Sequence, residues 1–154
     1  VNGGLAVPPT FLPRTREEAA AVSKRVLKPE TSAAVVKLMR DNVLRGSGKR
    51  ADAEGYRVGG KTGTAEKVVN GRYARHALLN SFLSVFPTDD PQYVVLVTLD
   101  EPQRVEATNF NSTAGVNAAP TVGKVVARIA PILGVPPKLD ETASRFDAKR
   151  SATY

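Results

Sequence analysis

Residues 61–64, Lys-Thr-Gly-Thr, are the part of the sequence whose residue types point most directly to chemistry. An ammonium group and two hydroxyls lie within four positions, and each can donate a hydrogen bond to an anion. Two kinds of site are consistent with these residue types and their spacing. Residues 55–62, G-Y-R-V-G-G-K-T, match G-x-x-x-x-G-K-[ST], a loop that holds nucleotide phosphates. The tetrapeptide itself suits a strand that binds an acyl donor beside a reactive serine.

The flanking sequence favours the strand. A phosphate loop needs a buried strand before it and a helix that begins directly after its lysine and threonine. Residues 48–54, G-K-R-A-D-A-E, are too polar for a buried strand, and Thr62 is followed by glycine and then by β-branched residues. Residues 94–101, V-V-L-V-T-L-D-E, do resemble an acidic magnesium strand, so a nucleotide-binding protein stays as an alternative.

As a strand, the tetrapeptide would present its side chains alternately. Lys61 and Gly63 would point to one face, and Thr62 and Thr64 to the other. Lys61 would bring positive charge to a cleft, and Gly63 would let a ligand approach the backbone closely. The hydroxyls would hold a carboxylate, and the N–H of Thr64 would face a developing oxyanion.

Three strands are predicted around this site. The Asn-Gly pair at 70–71 separates two β-type runs, which predicts a hairpin of antiparallel strands at 61–69 and 72–86. Residues 76–86 are apolar on both alternating faces, so we expect helices on both sides of that strand. Residues 93–99, Y-V-V-L-V-T-L, form a third, wholly apolar strand.

Two amphipathic helices complete an α+β fold. Apolar residues recur at helical spacing within 29–45 and within 118–133. Residues 3–14 are rich in proline and glycine and are expected to be extended, whereas 46–55 and 100–117 are polar and read as loops, the first of them flexible.

Composition excludes several classes of site. The sequence has no cysteine, so disulfides, thiol nucleophiles and zinc-thiolate cages are ruled out. No apolar run approaches the roughly 20 residues that span a bilayer. The net charge is +7, and residues 14–50 hold ten basic against four acidic residues. Because these charges alternate with acidic and apolar residues, they indicate a solvated surface, and no nucleic-acid partner is expected.

Metal binding is not expected either. His76 is the only histidine. The carboxylate pairs Asp89-Asp90 and Asp100-Glu101 lie where turns are expected, without a ligand pattern around them.

The order of these features resembles the C-terminal half of the transpeptidase domain in class B penicillin-binding proteins, and among them the septal division enzymes. The resemblance covers residues 1–136, and K-T-G-T-A-E-K followed by N-G-R-Y carries its specificity. It implies a partial penicillin-binding/β-lactamase-like transpeptidase fold whose N-terminal half is absent. Residues 137–154 lie outside it and read as a mobile polar tail.

The resemblance implies roles for the matched residues alone. Lys61 would set the electrostatics of the cleft and bond the serine of the family's second motif. Thr62 and Thr64 would bind the carboxylate of a peptide or β-lactam, Gly63 would give clearance, and the Thr64 N–H would form half of an oxyanion hole. The implied reaction is the cross-linking of peptidoglycan stem peptides, without a cofactor, at the periplasmic face of a bacterial inner membrane.

The family's S-x-x-K nucleophile motif and its S-x-N motif do not occur in these 154 residues. We therefore expect the isolated chain to be inactive and to need the remainder of the domain as its partner. An apolar strand left without its neighbour would also favour self-association. A non-catalytic module that binds division proteins is a further alternative.

Overall fold

The computed structural model describes residues 1–139. Its elements in chain order are β1 (Leu5–Ala6), α1 (Arg16–Val22), β2 (Lys24–Arg25), α2 (Pro29–Arg45), β3 (Gly59–Val69), β4 (Arg72–Phe86), β5 (Tyr93–Asp100) and α3 (Ala118–Ile132), with 3-10 turns at Lys49–Ala51 and Glu106–Thr108. Helices beside antiparallel strands confirm the predicted α+β class.

The main sheet has the strand order β3-β4-β5, with both neighbouring pairs antiparallel. The hairpin between β3 and β4 turns at Asn70 and Gly71, whose φ values of 52° and 76° are the positive angles that a tight hairpin turn requires. Glu66 pairs with Leu78 but Lys67 pairs with Ala74, so three residues of β4 bulge out of the ladder. The exposed His76 is one of them.

One face of the sheet packs against α3. Phe82 and Phe86 of β4 are fully buried there, beside Val122 and Val126 of the helix. The ring of Tyr93 on β5 stacks on Phe86 with centroids 5.5 Å apart. Burial of these apolar side chains is the main stabilising contribution to the fold.

The opposite face is covered less completely. Val85 is buried at its end, but the cross-strand neighbours Leu83 and Leu96 are 44% and 60% exposed. The sequence predicts cover on both faces of β4, whereas within residues 1–139 the cover on the Leu83 face is incomplete. Apolar alternation predicts which side chains are buried, but it does not predict which segment of the chain covers them.

Both predicted helices are present, and a third is added. Pro29 begins α2 and Gly134, with φ of 72°, follows α3. The short helix α1 is absent from the prediction, although its signal is in the sequence. Thr15 Oγ1 accepts from the N–H of Glu18, and the Glu18 carboxylate accepts from the N–H of Thr15, which is a capping box.

Residues 46–55 form a loop with a 3-10 turn at Lys49–Ala51, which confirms the predicted loop, but its close packing contradicts the predicted flexibility. Gly48 and Ala51 are buried, and the backbone of Ala51 lies so close to α3 that a Cβ added to Gly123 would come within 3.2 Å of the Ala51 carbonyl oxygen. Small residues suggest flexibility by composition, yet here their size allows close packing.

The segment after α3 returns to the domain. Val135 is buried, and the N–H of Lys138 donates to the carbonyl of Gly55 at 2.8 Å. Residues 140–154, which make up most of the predicted tail, lie outside the described residues. Within residues 1–139, no helix combines the length and apolar character needed to span a bilayer.

Candidate functional site

The first residues of β3 are held by side chains from the end of α2. Arg40 Nη1 donates to the carbonyl of Val58 at 2.9 Å, and Asn42 Nδ2 donates to the carbonyl of Gly60 at 2.8 Å. Both carbonyls therefore point away from β4. Because backbone groups alternate between the two edges of a strand, the N–H and C=O groups of Thr62 and Thr64 also point away from β4. This edge of β3 pairs with no strand within residues 1–139 and is called the free edge.

The pairing register fixes the two faces of the strand. Thr62 lies opposite Phe82 and Thr64 opposite Asn80, on the face that packs against α3. Lys61 lies opposite Leu83 on the other face, as the alternation predicts. The long side chain of Lys61 nonetheless returns to the free edge, where its Nζ donates to the Thr62 carbonyl at 2.6 Å.

Each threonine hydroxyl has a partner from outside the strand. Thr62 Oγ1 lies 2.9 Å from Ser47 Oγ, in the turn after α2. Thr64 Oγ1 accepts the N–H of Ala114 at 3.1 Å, from the loop before α3. Neither partner is among the residues that the sequence motifs point to. Ser47 and Ala114 lie 15 and 50 residues from the threonines that they contact, and no local spacing signals such contacts.

Two asparagines, the fully buried Asn80 and the partly buried Asn117, hold that second loop in place. The amide of the fully buried Asn80 donates to the Ser112 carbonyl and, at 3.2 Å, to Asn117 Oδ1. Asn117 Oδ1 also accepts the N–H of Ala118 at 2.6 Å, which caps α3. Ala114 lies between Ser112 and Asn117 in the chain. The bonds of Asn80 to these two residues therefore fix the position of the Ala114 N–H, which donates to Thr64.

Glycines 59, 60 and 63 have packing explanations. A Cβ on Gly59 would lie 3.0 Å from the backbone nitrogen of Arg40, and one on Gly60 would overlap the ring of Phe82. One on Gly63 would lie 2.5 Å from Ser81 Oγ, although a serine side chain can turn away. The absence of a side chain at Gly63 therefore leaves room for Ser81, its neighbour on β4.

The nucleotide-binding alternative is not favoured by this geometry. Lys61 and Thr62 lie inside a strand that continues to Val69, and no helix begins after them. The glycine that completes the pattern, Gly60, accommodates the Phe82 ring. Within the phosphate-loop pattern, Gly60 therefore has a packing explanation that requires no phosphate.

Three of the four carboxylates considered as metal ligands, those of Asp89, Asp100 and Glu101, pair with cations. Lys67 Nζ lies 2.7 Å from Glu101 and 2.9 Å from Asp100, and these hydrogen bonds raise the pKa of Lys67 above its ordinary value. Asp89 pairs with Arg57 at 2.6 Å and with Lys138.

The pKa of Asp89 reflects opposing effects. Partial burial alone would raise it, but the hydrogen bonds from Lys138 and from the backbone, together with the charges of Arg57 and Lys138, lower it below its ordinary value.

Similarity to known proteins agrees with this geometry. Residues 1–127 match the family described as the penicillin binding protein transpeptidase domain. The chain is 44% identical to the probable peptidoglycan D,D-transpeptidase FtsI of Caulobacter vibrioides, over 99% of this chain and 27% of that protein. It is 35% identical to stage V sporulation protein D of Bacillus subtilis, over 95% of this chain and 23% of that protein. The chain thus spans about a quarter of the length of these relatives.

Solved structures with the same fold are also related in sequence. The transpeptidase domain of penicillin-binding protein 3 from Burkholderia pseudomallei superposes with a TM-score of 0.74 at 31% identity, covering 88% of this chain and 39% of that one. Penicillin-binding protein 3 from Mycobacterium tuberculosis in complex with ampicillin gives 0.71 at 26% identity, covering 89% and 33%. A family match over most of the chain and relatives above 30% identity lead to one conclusion: the chain belongs to the penicillin-binding protein transpeptidase family.

Proposed function

We propose that these residues are part of a peptidoglycan D,D-transpeptidase of the septal division type, in which β3 binds the acyl donor. One observation carries the proposal. The free edge of β3 presents the backbone groups of Thr62 and Thr64, and the hydroxyls of both residues are oriented by neighbours at 2.9 and 3.1 Å. An extended peptide that lies along this edge can pair with the backbone as an added strand.

The reaction proposed for the complete enzyme is an acyl transfer in two steps. A serine oxygen attacks the carbonyl carbon between two D-alanines, the C–N bond breaks, and D-alanine leaves with the serine's proton. An amine of a neighbouring stem peptide then attacks the ester, forms the new amide and returns a proton to the serine. The 154 residues contain no S-x-x-K, so the serine and its base are assigned to the remainder of the domain.

Within that reaction, the residues of β3 bind and polarise the donor. The N–H of Thr64, on the free edge, is assigned to the oxyanion that forms when the carbonyl is attacked. The hydroxyls of Thr62 and Thr64 are assigned to the carboxylate of the terminal D-alanine or of a β-lactam. Lys61 supplies positive charge to the same edge, and Gly63 leaves space beside the backbone.

The partners proposed are the rest of the transpeptidase domain and proteins of the division complex. The exposed apolar pair Leu83 and Leu96 supplies a surface for the former. Synthesis of peptidoglycan places the active enzyme at the periplasmic face of the inner membrane, which is part of the proposal and rests on the family.

The test is acylation by a fluorescent penicillin in the full-length protein that carries these residues. We expect a covalent band for the wild type and strong loss in Thr62→Ala/Thr64→Ala. Ser23→Ala, which alters a half-buried serine whose hydroxyl donates to the Ala20 carbonyl of α1, far in sequence from β3, serves as the control. Wild-type labelling in the double variant would contradict the role of the hydroxyls. Labelling of the isolated 154-residue chain would show that a nucleophile has been overlooked.

A further inference from the structure

Four groups form a connected hydrogen-bond chain at the start of β3. Lys61 Nζ lies 3.3 Å from Thr62 Oγ1, Thr62 Oγ1 lies 2.9 Å from Ser47 Oγ, and Ser47 Oγ lies 3.2 Å from Asn42 Oδ1. The chain runs from the free edge of the strand to the last turns of α2. Thr62 and Ser47 each have a single hydroxyl proton, so the direction of the bonds is restricted.

The end of the chain at Asn42 can only accept. Asn42 Nδ2 donates to the Gly60 carbonyl at 2.8 Å, which assigns the other amide atom as the oxygen that faces Ser47. That oxygen already accepts the backbone N–H of Ser47 at 3.1 Å. It therefore keeps a donor even when the Ser47 hydroxyl turns away.

The other end of the chain, at Lys61, can only donate. Two arrangements of the protons follow. In the first, Thr62 donates to Ser47 and Ser47 donates to Asn42, so that Thr62 has no proton for a ligand. In the second, Ser47 donates to Thr62, and the Thr62 proton is free to point along the open edge of β3. An anion at that edge stabilises the second arrangement, because it accepts the released proton in a charge-assisted bond.

The position of Ser47 is fixed by backbone packing as well as by these bonds. A Cβ added to Gly115 would come within 2.8 Å of the Ser47 carbonyl oxygen and 3.9 Å of Thr62 Cγ2. The loop that supplies the donor to Thr64 thus also lies against Ser47. The two threonines are oriented by one continuous surface outside their own strand.

We propose that Ser47 is a positioning residue for ligand binding: its hydroxyl donates to Thr62 and thereby directs the Thr62 proton to the carboxylate of the acyl donor. The proposal deepens the proposed function and rests on it. Ser47 acts through Thr62 and need not touch the ligand. Donation to the oxygen of Thr62 also polarises its O–H bond, which strengthens the bond to the anion.

The test measures the acylation efficiency of the full-length protein with a penicillin and with the methyl ester of the same penicillin. Ser47→Ala should lower the efficiency for the acid about threefold to tenfold, which is the effect of one neutral hydrogen bond. With the ester, the acylation efficiency should fall about twofold or less, because the ester lacks the negative charge that accepts the Thr62 proton in the acid. Ser47→Thr, which keeps a hydroxyl, should restore the efficiency, and Ser23→Ala is the matched control.

A double-mutant cycle separates positioning from general stability. In a Thr62→Ala background, Ser47→Ala should have no further effect on acylation, since its route to the ligand is gone. Equal losses for acid and ester, additive losses in the cycle, or a Ser47→Ala variant equal to the wild type would each overturn the role of Ser47. If the wild-type protein is not labelled at all, the proposed function itself fails, which is a distinct result.

Discussion

The backbone N–H of Ala114 donates to Oγ1 of Thr64 at 3.1 Å, across 50 residues of sequence. This bond occupies a lone pair of the hydroxyl and leaves its proton to bond elsewhere. It also connects the loop before α3 to the strand that we assign to the acyl donor. In the proposed function, stability and ligand binding are therefore coupled at Thr64.

Removal of the Thr64 hydroxyl should destabilise the fold. Thr64→Val keeps the shape of the side chain but leaves the partly buried Ala114 N–H without its acceptor, which costs about 1–3 kcal/mol of unfolding free energy. Urea unfolding of the 154-residue chain measures this. Thr64→Ser retains the oxygen and should lose less; equal stability of the valine variant and the wild type would contradict the role of the bond.

Substitution of Asn80 should destabilise the fold more than substitution of an exposed polar residue. Asn80→Ala removes a fully buried amide that donates to Ser112 and Asn117, and it leaves a cavity. We therefore expect the free energy of unfolding to fall by about 2–4 kcal/mol. Gln92→Ala, at an exposed position before β5, is the control and should stay within about 0.5 kcal/mol of the wild type. Comparable melting temperatures for the two variants would count against the anchoring role.

Asp89 should give the domain a measurable acid dependence. Its pKa is lowered in the folded state, so the stability that it contributes is complete above the unfolded value of about 3.9 and is lost as pH falls through the folded value. Unfolding free energies measured between about pH 5 and pH 2 should fall less steeply for Asp89→Asn than for the wild type. Gln103→Ala replaces an exposed side chain that carries no charge and should keep the wild-type slope. Identical slopes in all three proteins would show that the ion pairs with Arg57 and Lys138 do not stabilise the domain.

The apolar face of Leu83 and Leu96 should cause self-association of the isolated chain. These cross-strand neighbours are exposed, and β5 has an unpaired edge beside them within residues 1–139. Size-exclusion chromatography with light scattering should show species above the monomer mass, and Leu83→Lys/Leu96→Lys should reduce them. A monodisperse wild-type monomer would contradict this prediction.

Nucleotide should have no effect on the chain. A phosphate loop would raise the melting temperature when ATP and magnesium are present, because a ligand at 100 times its Kd adds about 2.7 kcal/mol of stability. We expect no shift for the wild type or for Lys61→Ala. A shift that Lys61→Ala abolishes would restore the nucleotide-binding alternative.

The elements that depend on short windows of sequence could be predicted from the residues alone. The Asn-Gly pair at 70–71 specified the hairpin through its positive φ angles, and apolar periodicity specified α2 and α3. The strand assignment of residues 61–64 followed from the same local evidence. These features are encoded locally because steric limits and side-chain alternation act over a few residues.

Tertiary structure alone decided which neighbours surround the strand. Ser47 and Ala114 reach β3 across 15 and 50 residues, and Asn80 reaches Asn117 across 37. These contacts depend on how loops and helices pack, which no spacing in the sequence records. The same holds for residues 46–55, where small side chains suggested flexibility but pack closely against α3. The direction in which each threonine can donate its proton is therefore a property of the folded domain, because it is set by groups that only folding brings within hydrogen-bonding distance.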